Sequence, residues 1–122
     1  RNKTKKVLEI KGRNVEMESF FDGIVKFDFK ELCERNLGSE DYISIANNCN
    51  FIFIENLPDF NEGNSNQQQR FITFIDIIYE KKIPLMITSN VNLDKINSAK
   101  SIKEPFKRTI SRLYELTSMN YN

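Results

Sequence analysis

The chain has no histidine among its 122 residues. This absence removes the commonest general base, the commonest zinc ligand and the usual switch that responds to pH near neutrality. Only two cysteines are present, Cys33 and Cys49, and their separation matches no zinc-ligand spacing. Both lie in or beside apolar stretches, so we expect two reduced thiols in or near the protein core.

Glycine is also scarce, with 4 in the chain, and none of them is followed by lysine. The phosphate-binding loop G-x-x-x-x-G-K-S/T is therefore absent from this sequence. The phosphates of a nucleotide need backbone amides at a helix N-terminus together with a lysine. We therefore expect this chain alone to bind no ATP.

The sequence has neither a long apolar run nor an excess of one charge. No stretch approaches the ~18 apolar residues of a membrane-spanning helix. With 18 basic and 17 acidic residues the net charge is +1, which argues against a dedicated binder of nucleic acid. The basic N-terminal group contains no interleaved aromatic residue, and a frayed terminus explains it better; the group is Arg1, Lys3, Lys5 and Lys6. Because the chain begins with Arg1 rather than Met, we expect a longer precursor.

The first 30 residues are predicted to form an antiparallel meander. Val15 and Met17 alternate with glutamates, which is the period-two pattern of a half-buried strand. Asp22-Gly23 stands between apolar residues and indicates a hairpin, since a type I′ turn needs positive φ at both central positions. Alternation of apolar and polar residues from Val25 to Phe29 predicts a third strand.

The rest of the chain predicts alternating strands and helices. Phe51 to Ile54 is apolar on both faces and therefore predicts a central strand. An amphipathic helix from Ser65 to Lys82 and a strand from Leu85 to Thr88 follow, and this β-α-β spacing favours parallel strands. The last predicted helix contains Arg108 and Arg112.

We therefore predict an α/β fold in which an antiparallel meander is followed by β-α-β and a C-terminal helix. The meander covers about residues 5–29 and the α/β part about residues 30–122. At this length, residues 1–122 are expected to form a single domain.

Local signals mark the helix boundaries. A short helix is expected from Lys30 to Arg35, and Ser39 is expected to cap a second helix that ends near Asn47. Ser65 with Gln68 three residues later predicts a capping box for the amphipathic helix. Two further expectations concern particular residues. Pro105 suits the first position of the last helix, and the second helix should bury Tyr42, Ile43 and Ile45.

Polar residues follow both predicted parallel strands. Glu55-Asn56 occupies the place where ATPases of this broad architecture carry Asp-Glu for magnesium and for polarising water. Asparagine cannot act as a general base, so we favour a structural carboxylate at this position. Thr88-Ser89-Asn90 ends the next strand, where a polar residue can sense a γ-phosphate. Such residues more often cap a turn by bonding to local backbone, and we favour that role.

The last helix carries the remaining candidate site. Arg108, Arg112 and Glu115 are spaced so that they point away from an apolar stripe on the same helix. One interpretation is a solvated face with an Arg112–Glu115 pair. The other is a nucleotide-sensing or interface role, with a guanidinium directed at a phosphate or at an acidic surface of a partner.

Three segments of the chain, in order, resemble the motifs of one family. The first, F-x-F-x-x-L-C with L-G-x-x-D-Y, is matched by Phe27, Phe29, Leu32, Cys33, Gly38, Asp41 and Tyr42. The second, R-F-I-x-L-I-D-x-L-Y-E, is matched by Arg70, Phe71, Asp76 and Tyr79. The third, F-x-R-T-x-S-R-L-x-E-M-x-S-x-x-Y, is matched by Phe106, Arg108, Ser111, Arg112, Leu113, Glu115 and Tyr121. Leu116 replaces the usual Met of the third motif. The chain thus resembles the ZapE-type AAA-like ATPases, whose mitochondrial branch is the ATPase-family-gene-one-like proteins.

This resemblance implies that the chain is the C-terminal region of a larger P-loop ATPase. It implies binding and hydrolysis of ATP with Mg²⁺ by the full-length protein, and no catalytic residue or metal ligand in this chain. It further implies handling of protein clients in cell division or protein quality control, in the cytoplasm or the mitochondrial matrix. The expected partners are an upstream nucleotide-binding half or a neighbouring subunit. The alternative is a stand-alone, non-enzymatic interaction domain left by gene splitting.

Overall fold

The computed structural model describes residues 4–10 and 13–119. Five strands form one mixed sheet, and their order across the sheet is their order along the chain. These strands are β1 (Thr4–Ile10), β2 (Arg13–Phe21), β3 (Ile24–Asp28), β4 (Phe51–Leu57) and β5 (Leu85–Ser89). The first three pair antiparallel, whereas β3, β4 and β5 are parallel. The predicted α/β class, with its meander and central β4, is confirmed.

The hairpin between β2 and β3 has the predicted backbone conformation. Asp22 and Gly23 have φ values of 54° and 84°, so both central residues are left-handed. A Cβ at Gly23 would lie 2.7 Å from the Asn50 side chain, so the position admits no larger residue without movement. The Asn50 N–H also donates to the Gly23 carbonyl at 2.8 Å, which joins the hairpin to the start of β4.

Four α-helices connect and follow the described parallel strands. They are α1 (Phe29–Cys33), α2 (Ser39–Asn47), α3 (Ser65–Glu80) and α4 (Lys103–Thr117). Three short 3₁₀ turns lie at Glu62–Asn64, Leu93–Lys95 and Lys100–Ile102. The first two helices connect β3 to β4, and α3 connects β4 to β5. Both crossovers step in the same direction across the sheet, so the right-handed crossover rule places their helices on one face.

The core fills the space between that face of the sheet and the helices. It includes strand side chains such as Val25, Phe27 and Ile52, which alternate with more exposed residues along β3 and β4. On α3, the predicted stripe of Phe71, Phe74, Ile75 and Ile78 is fully buried against them. The Phe27 and Phe74 rings meet edge to face at 6.5 Å. The buried side chains of the strands and the apolar stripe of α3 therefore pack together in one apolar layer.

Helix starts differ from the predicted positions because other side chains satisfy the first amides. The short helix is Phe29–Cys33 rather than Lys30 to Arg35, since the Asp28 carboxylate accepts from the Lys30 N–H at 3.0 Å. Ser39 is the first residue of α2 and not its cap. Instead, the Gly38 N–H donates to the Asp41 carboxylate at 2.7 Å.

Three further sequence predictions about helices were wrong. The Ser65–Gln68 capping box does not form, because the Gln68 side chain turns into the core. Pro105 occupies the third position of α4, where the missing N–H costs no intrahelical bond. Ile43 is 45% exposed on the outer side of α2, while Tyr42 and Ile45 are buried as expected.

The Gln68 side chain links α3 to the segment that precedes α4. Its Nε2 donates to Ser98 Oγ at 2.7 Å, and its Oε1 accepts from the Ala99 N–H at 3.0 Å. Both Gln68 and Ala99 are fully buried. A buried amide needs such partners because its desolvation is otherwise uncompensated.

We expect Gln68→Met to lower the free energy of unfolding by about 1–3 kcal/mol, because it leaves the buried Ala99 N–H without an acceptor. Urea denaturation followed by circular dichroism measures the change. The matched control is Gln69→Met at the exposed neighbouring position, which should change stability by no more than about 0.5 kcal/mol. Equal effects of the two substitutions would contradict a structural role for the Gln68 amide.

Candidate functional site

Charged and aromatic side chains of α3, of the turn that follows it and of α4 form a connected cluster, here called the α3–α4 network. It consists of Asp76, Tyr79, Lys82, Arg112 and Glu115. Arg112 Nη1 donates to Asp76 Oδ1 at 2.6 Å, and its guanidinium carbon lies 4.4 Å from the centre of the Tyr79 ring. The guanidinium is thus held by an ion pair on one side and an aromatic face on the other.

Glu115 and Lys82 form the outer part of the network. Glu115 accepts from the Tyr79 hydroxyl at 2.9 Å and from Lys82 Nζ at 3.0 Å. Lys82 Nζ also lies 3.5 Å from the centre of the Tyr79 ring. Hydrogen bonds from Lys82 and then Tyr79 lower the pKa of Glu115, and contacts with Tyr79 and then Glu115 raise the pKa of Lys82. Both groups are therefore held in their charged forms.

The network separates the two arginines that the sequence grouped together. Arg112 is bonded to Asp76, so the expected Arg112–Glu115 pair does not form. Only 22% of the Arg112 side chain is exposed. Arg108 is exposed on α4, and it has no hydrogen bond or ion pair within residues 4–10 and 13–119. Of the three predicted site residues, the structure brings Arg112 and Glu115 together through Tyr79 and leaves Arg108 apart.

A second cluster fastens the short helix α1. The Tyr42 hydroxyl donates to the Leu32 carbonyl at 2.8 Å, and Arg70 Nη1 donates to the Cys33 carbonyl at 2.9 Å. The last carbonyls of a helix have no partner within it, so these side chains supply the missing donors. The contacts join α1 to α2 and α3, which gives these residues a structural role.

The cysteines lie where the sequence predicted. Cys33 is fully buried and Cys49 is half-buried, and both are free thiols. Burial is the main cause that raises the pKa of Cys33, and burial likewise raises the pKa of Tyr42. A thiol that remains protonated is a poor nucleophile and a poor metal ligand. The described residues contain no group of three or more side chains suited to a metal ion.

A cleft of about 410 Å³ opens at the carboxyl ends of the parallel strands. Its floor includes Asp28 and Asn56, and open α/β sheets often bind ligands at this edge. Asn56 has a left-handed φ of 64°. Its Nδ2 donates to Asp28 Oδ1 at 2.6 Å, and its N–H donates to Thr88 Oγ1 at 3.0 Å. These bonds tie the ends of all three parallel strands together.

The lining of this cleft contains no glycine-rich loop to hold the phosphates of ATP. Both Asp28 carboxylate oxygens already accept hydrogen bonds, from Asn56 and from the Lys30 N–H. Glu55 does not line the cleft, and its Oε2 lies 3.9 Å from Lys26 Nζ in an exposed pair. Ser89 Oγ donates to the Leu57 carbonyl and accepts from the Val91 N–H, which is the predicted turn-capping role. We derive no catalytic step at this edge.

The match to a known protein family covers the whole chain. The model of the family described as AFG1-like ATPase matches residues 1–122. The chain belongs to the AFG1-like ATPase family.

Several curated relatives of this AFG1-like chain are much longer than it is. It is 34% identical over 91 residues to lactation elevated protein 1 homolog B of Danio rerio, and the aligned region covers 75% of the chain and 18% of that protein. It is 26% identical over 114 residues to the cell division protein ZapE of Escherichia coli K12, and the aligned region covers 93% of the chain and 30% of ZapE. The chain therefore spans less than a third of either relative. No solved structure matches it.

The remaining family-motif positions of the AFG1-like chain are mostly structural. Phe27, Phe29, Phe71 and Leu113 lie in the core. Gly38 and Asp41 begin α2, and Ser111 is exposed on α4. Tyr121 lies outside the described residues. No described helix is both long and apolar enough to cross a membrane.

Sequence reasoning missed Lys82 and Asn56 as members of polar clusters. Lys82 lies beyond the end of α3 at a φ of 52°, and its partner Glu115 is 33 residues away. Asn56 contacts Asp28 and Thr88, which lie 28 and 32 residues away. Positive φ at a non-glycine residue is the only local feature that they share, and a sequence does not display it.

We expect a double-mutant cycle of Asp76→Ala and Arg112→Ala to give a coupling energy of about 0.5–1 kcal/mol, since the pair is partly shielded and stacks on Tyr79. Urea unfolding of the four proteins measures it. The control is the same cycle for Glu104 and Lys107, an exposed pair at 3.0 Å on α4. That cycle should give less than about 0.3 kcal/mol. Coupling that is no larger in the first cycle would contradict a special role for the network.

Proposed function

We propose that this chain is the C-terminal region of a ZapE-type ATPase that couples ATP hydrolysis to the handling of protein clients. Three motifs in order and the family match over residues 1–122 support this proposal. The name of the Escherichia coli relative favours a setting in cell division. The cytoplasm is the proposed site, or the mitochondrial matrix if the protein belongs to the mitochondrial branch.

In this proposal, ATP and Mg²⁺ are held by a part of the ATPase that is separate from these 122 residues. The missing G-x-x-x-x-G-K-S/T loop supports that division. The partner of this region is then an upstream nucleotide-binding half or a neighbouring subunit. We also propose that residues 1–122 fold as one domain, because β3 pairs with both the meander and the parallel strands.

The observation that carries the proposal is the exposure of Arg108 on a helix whose position is fixed. The α3–α4 network attaches α4 to α3 through Arg112 and Glu115, at a point about one to two turns beyond Arg108. Arg112 is thereby a positioning residue, since its Nη1 is directed at Asp76 and its guanidinium lies over the Tyr79 ring. Arg108 is the guanidinium that remains available to a phosphate or an acidic surface.

A fixed guanidinium suits a transition state in which negative charge accumulates on a transferring phosphoryl group. The planar donors of arginine match phosphate oxygens, and a rigid helix lowers the entropy lost when the contact forms. Lysine cannot reproduce that geometry. We therefore assign Arg108 to the contact with the nucleotide-binding part.

We expect Arg108→Ala in the complete ATPase to lower kcat for ATP hydrolysis by at least about tenfold, because a charge that stabilises the transition state is lost. The control is Lys107→Ala, which removes an exposed cation at the adjacent position and should leave turnover within about twofold. Steady-state release of phosphate measures both. Unchanged turnover in Arg108→Ala would remove the assigned role, and an equal loss in both variants would show a non-specific effect of charge.

Calorimetry of the 122-residue chain with MgATP tests the division of labour separately. No heat of binding is expected, because the phosphates have no loop to hold them. Measurable ATP binding by this chain alone would contradict the proposal. If deletion of this region from the complete ATPase left turnover unchanged, the alternative of a stand-alone interaction domain would be favoured.

A further inference from the structure

The sheet has a second face, opposite to the core, that carries large apolar side chains. We call it the outer face and define it by Phe21, Ile24, Phe51, Phe53 and Met86. The strand register places Ile24 beside Phe21 and Phe51, and Phe53 beside Met86, so these residues are contiguous. Phe21 is 42% exposed, Ile24 36% and Met86 50%, whereas Phe51 and Phe53 are half-buried. Such a contiguous apolar patch is unusual on a free surface.

The topology explains why the described helices leave the outer face open. The chain steps from β3 to β4 to β5 in one direction, and right-handed crossovers in one direction place all their helices on one face. The side chains of β3 and β4 confirm this, since Val25, Phe27 and Ile52 are buried while Ile24 is exposed. Helices on the other face would require parallel strands added in the opposite direction, and β2 is antiparallel there.

Parallel strands are normally covered by helices on both faces, because their crossovers bury both sides. The outer face of β3, β4 and β5 has the composition of a covered face at its centre. The polar residues that accompany the apolar ones include Lys26 and Glu55, a loose pair at 3.9 Å with more than a third of each side chain exposed. The patch is thus an apolar centre beside one ion pair.

We propose that the outer face is the docking surface for an amphipathic helix from the remaining part of the AFG1-like ATPase. This inference rests on the proposed function, because it requires that this region be joined to or assembled with the rest of that enzyme. Two relatives are long enough to contain such a helix outside the matched region, since the chain spans only 18% and 30% of them. The proposed occupant is therefore a helix of the same enzyme.

The dimensions of the patch favour one helix. Strands lie about 4.8 Å apart, so the distance from Phe21 on β2 to Met86 on β5 is roughly 14 Å, which accommodates a helix of ~10 Å diameter. The apolar stripe of that helix would cover Phe51 and Phe53 at the centre. Its polar edge would meet Lys26 and Glu55, which are near enough to the surface to accept a new partner.

The test compares the reactivity of a cysteine at Met86 in two proteins. Met86→Cys is prepared in the 122-residue chain and in the complete ATPase, and modification by N-ethylmaleimide is followed by peptide mass spectrometry. We expect the thiol to react at least about tenfold more slowly in the complete ATPase, because modification there requires the helix to detach. The control is Ile43→Cys, which has similar exposure on the helical layer and should react equally fast in both proteins.

Two outcomes would overturn the inference. Equal reactivity of Cys at position 86 in both proteins would show that nothing covers the outer face. Slow reaction in the 122-residue chain that becomes faster on dilution would identify a second copy as the occupant. If Met86→Cys disturbs folding, Ile24→Cys reports on the same face. Because labelling does not depend on ATP turnover, failure of the Arg108 experiment and failure of this one can be told apart.

Discussion

The structure depends on the burial of one face of its sheet beneath α3. Phe74 of this helix contacts both Phe27 of β3 and Tyr42 of α2, and Phe71 reaches Phe29 and Phe60. The other three described α-helices all pack against it. The short helix α1 is fastened through Arg70, and the segment before α4 is fastened through Gln68. The family motifs on α1, α2 and α3 are therefore explained in large part by packing around one helix.

The two arginines of α4 belong to one short motif but lie in different environments. Arg112 satisfies its charge within the fold, and the aromatic ring of Tyr79 lies against its guanidinium. The energetic gain from an ion pair near the surface is modest, but a stacked and bonded pair restricts the rotation of α4. Arg108 is then exposed at a fixed position along the helix. Under the proposed function, this motif contains one residue that fixes a helix and another that uses the position of that helix.

The sequence allowed the order of elements to be predicted, since the alternation in β2 and β3, the apolar run of β4 and the stripe on α3 are local patterns. It did not allow Gln68 to be placed, because a capping partner and a buried amide are equally compatible with its position after Ser65. Its true partners, Ser98 and Ala99, lie about 30 residues away. The same applies to the candidate site. The spacing of Arg108, Arg112 and Glu115 was visible, but Asp76 and Lys82, which pair with Arg112 and Glu115, belong to another part of the chain.

The contact between Gly23 and Asn50 has a consequence for the sheet as a whole. The Gly23 carbonyl accepts from the N–H groups of both Asn50 and Phe51, and the absence of a side chain lets the Asn50 amide sit against it. The turn of the meander and the first residues of β4 are therefore locked to one another. A shift of either half of the sheet along β3 by one residue would break these hydrogen bonds to the Gly23 carbonyl. The antiparallel and parallel halves are thus obliged to keep a common alignment.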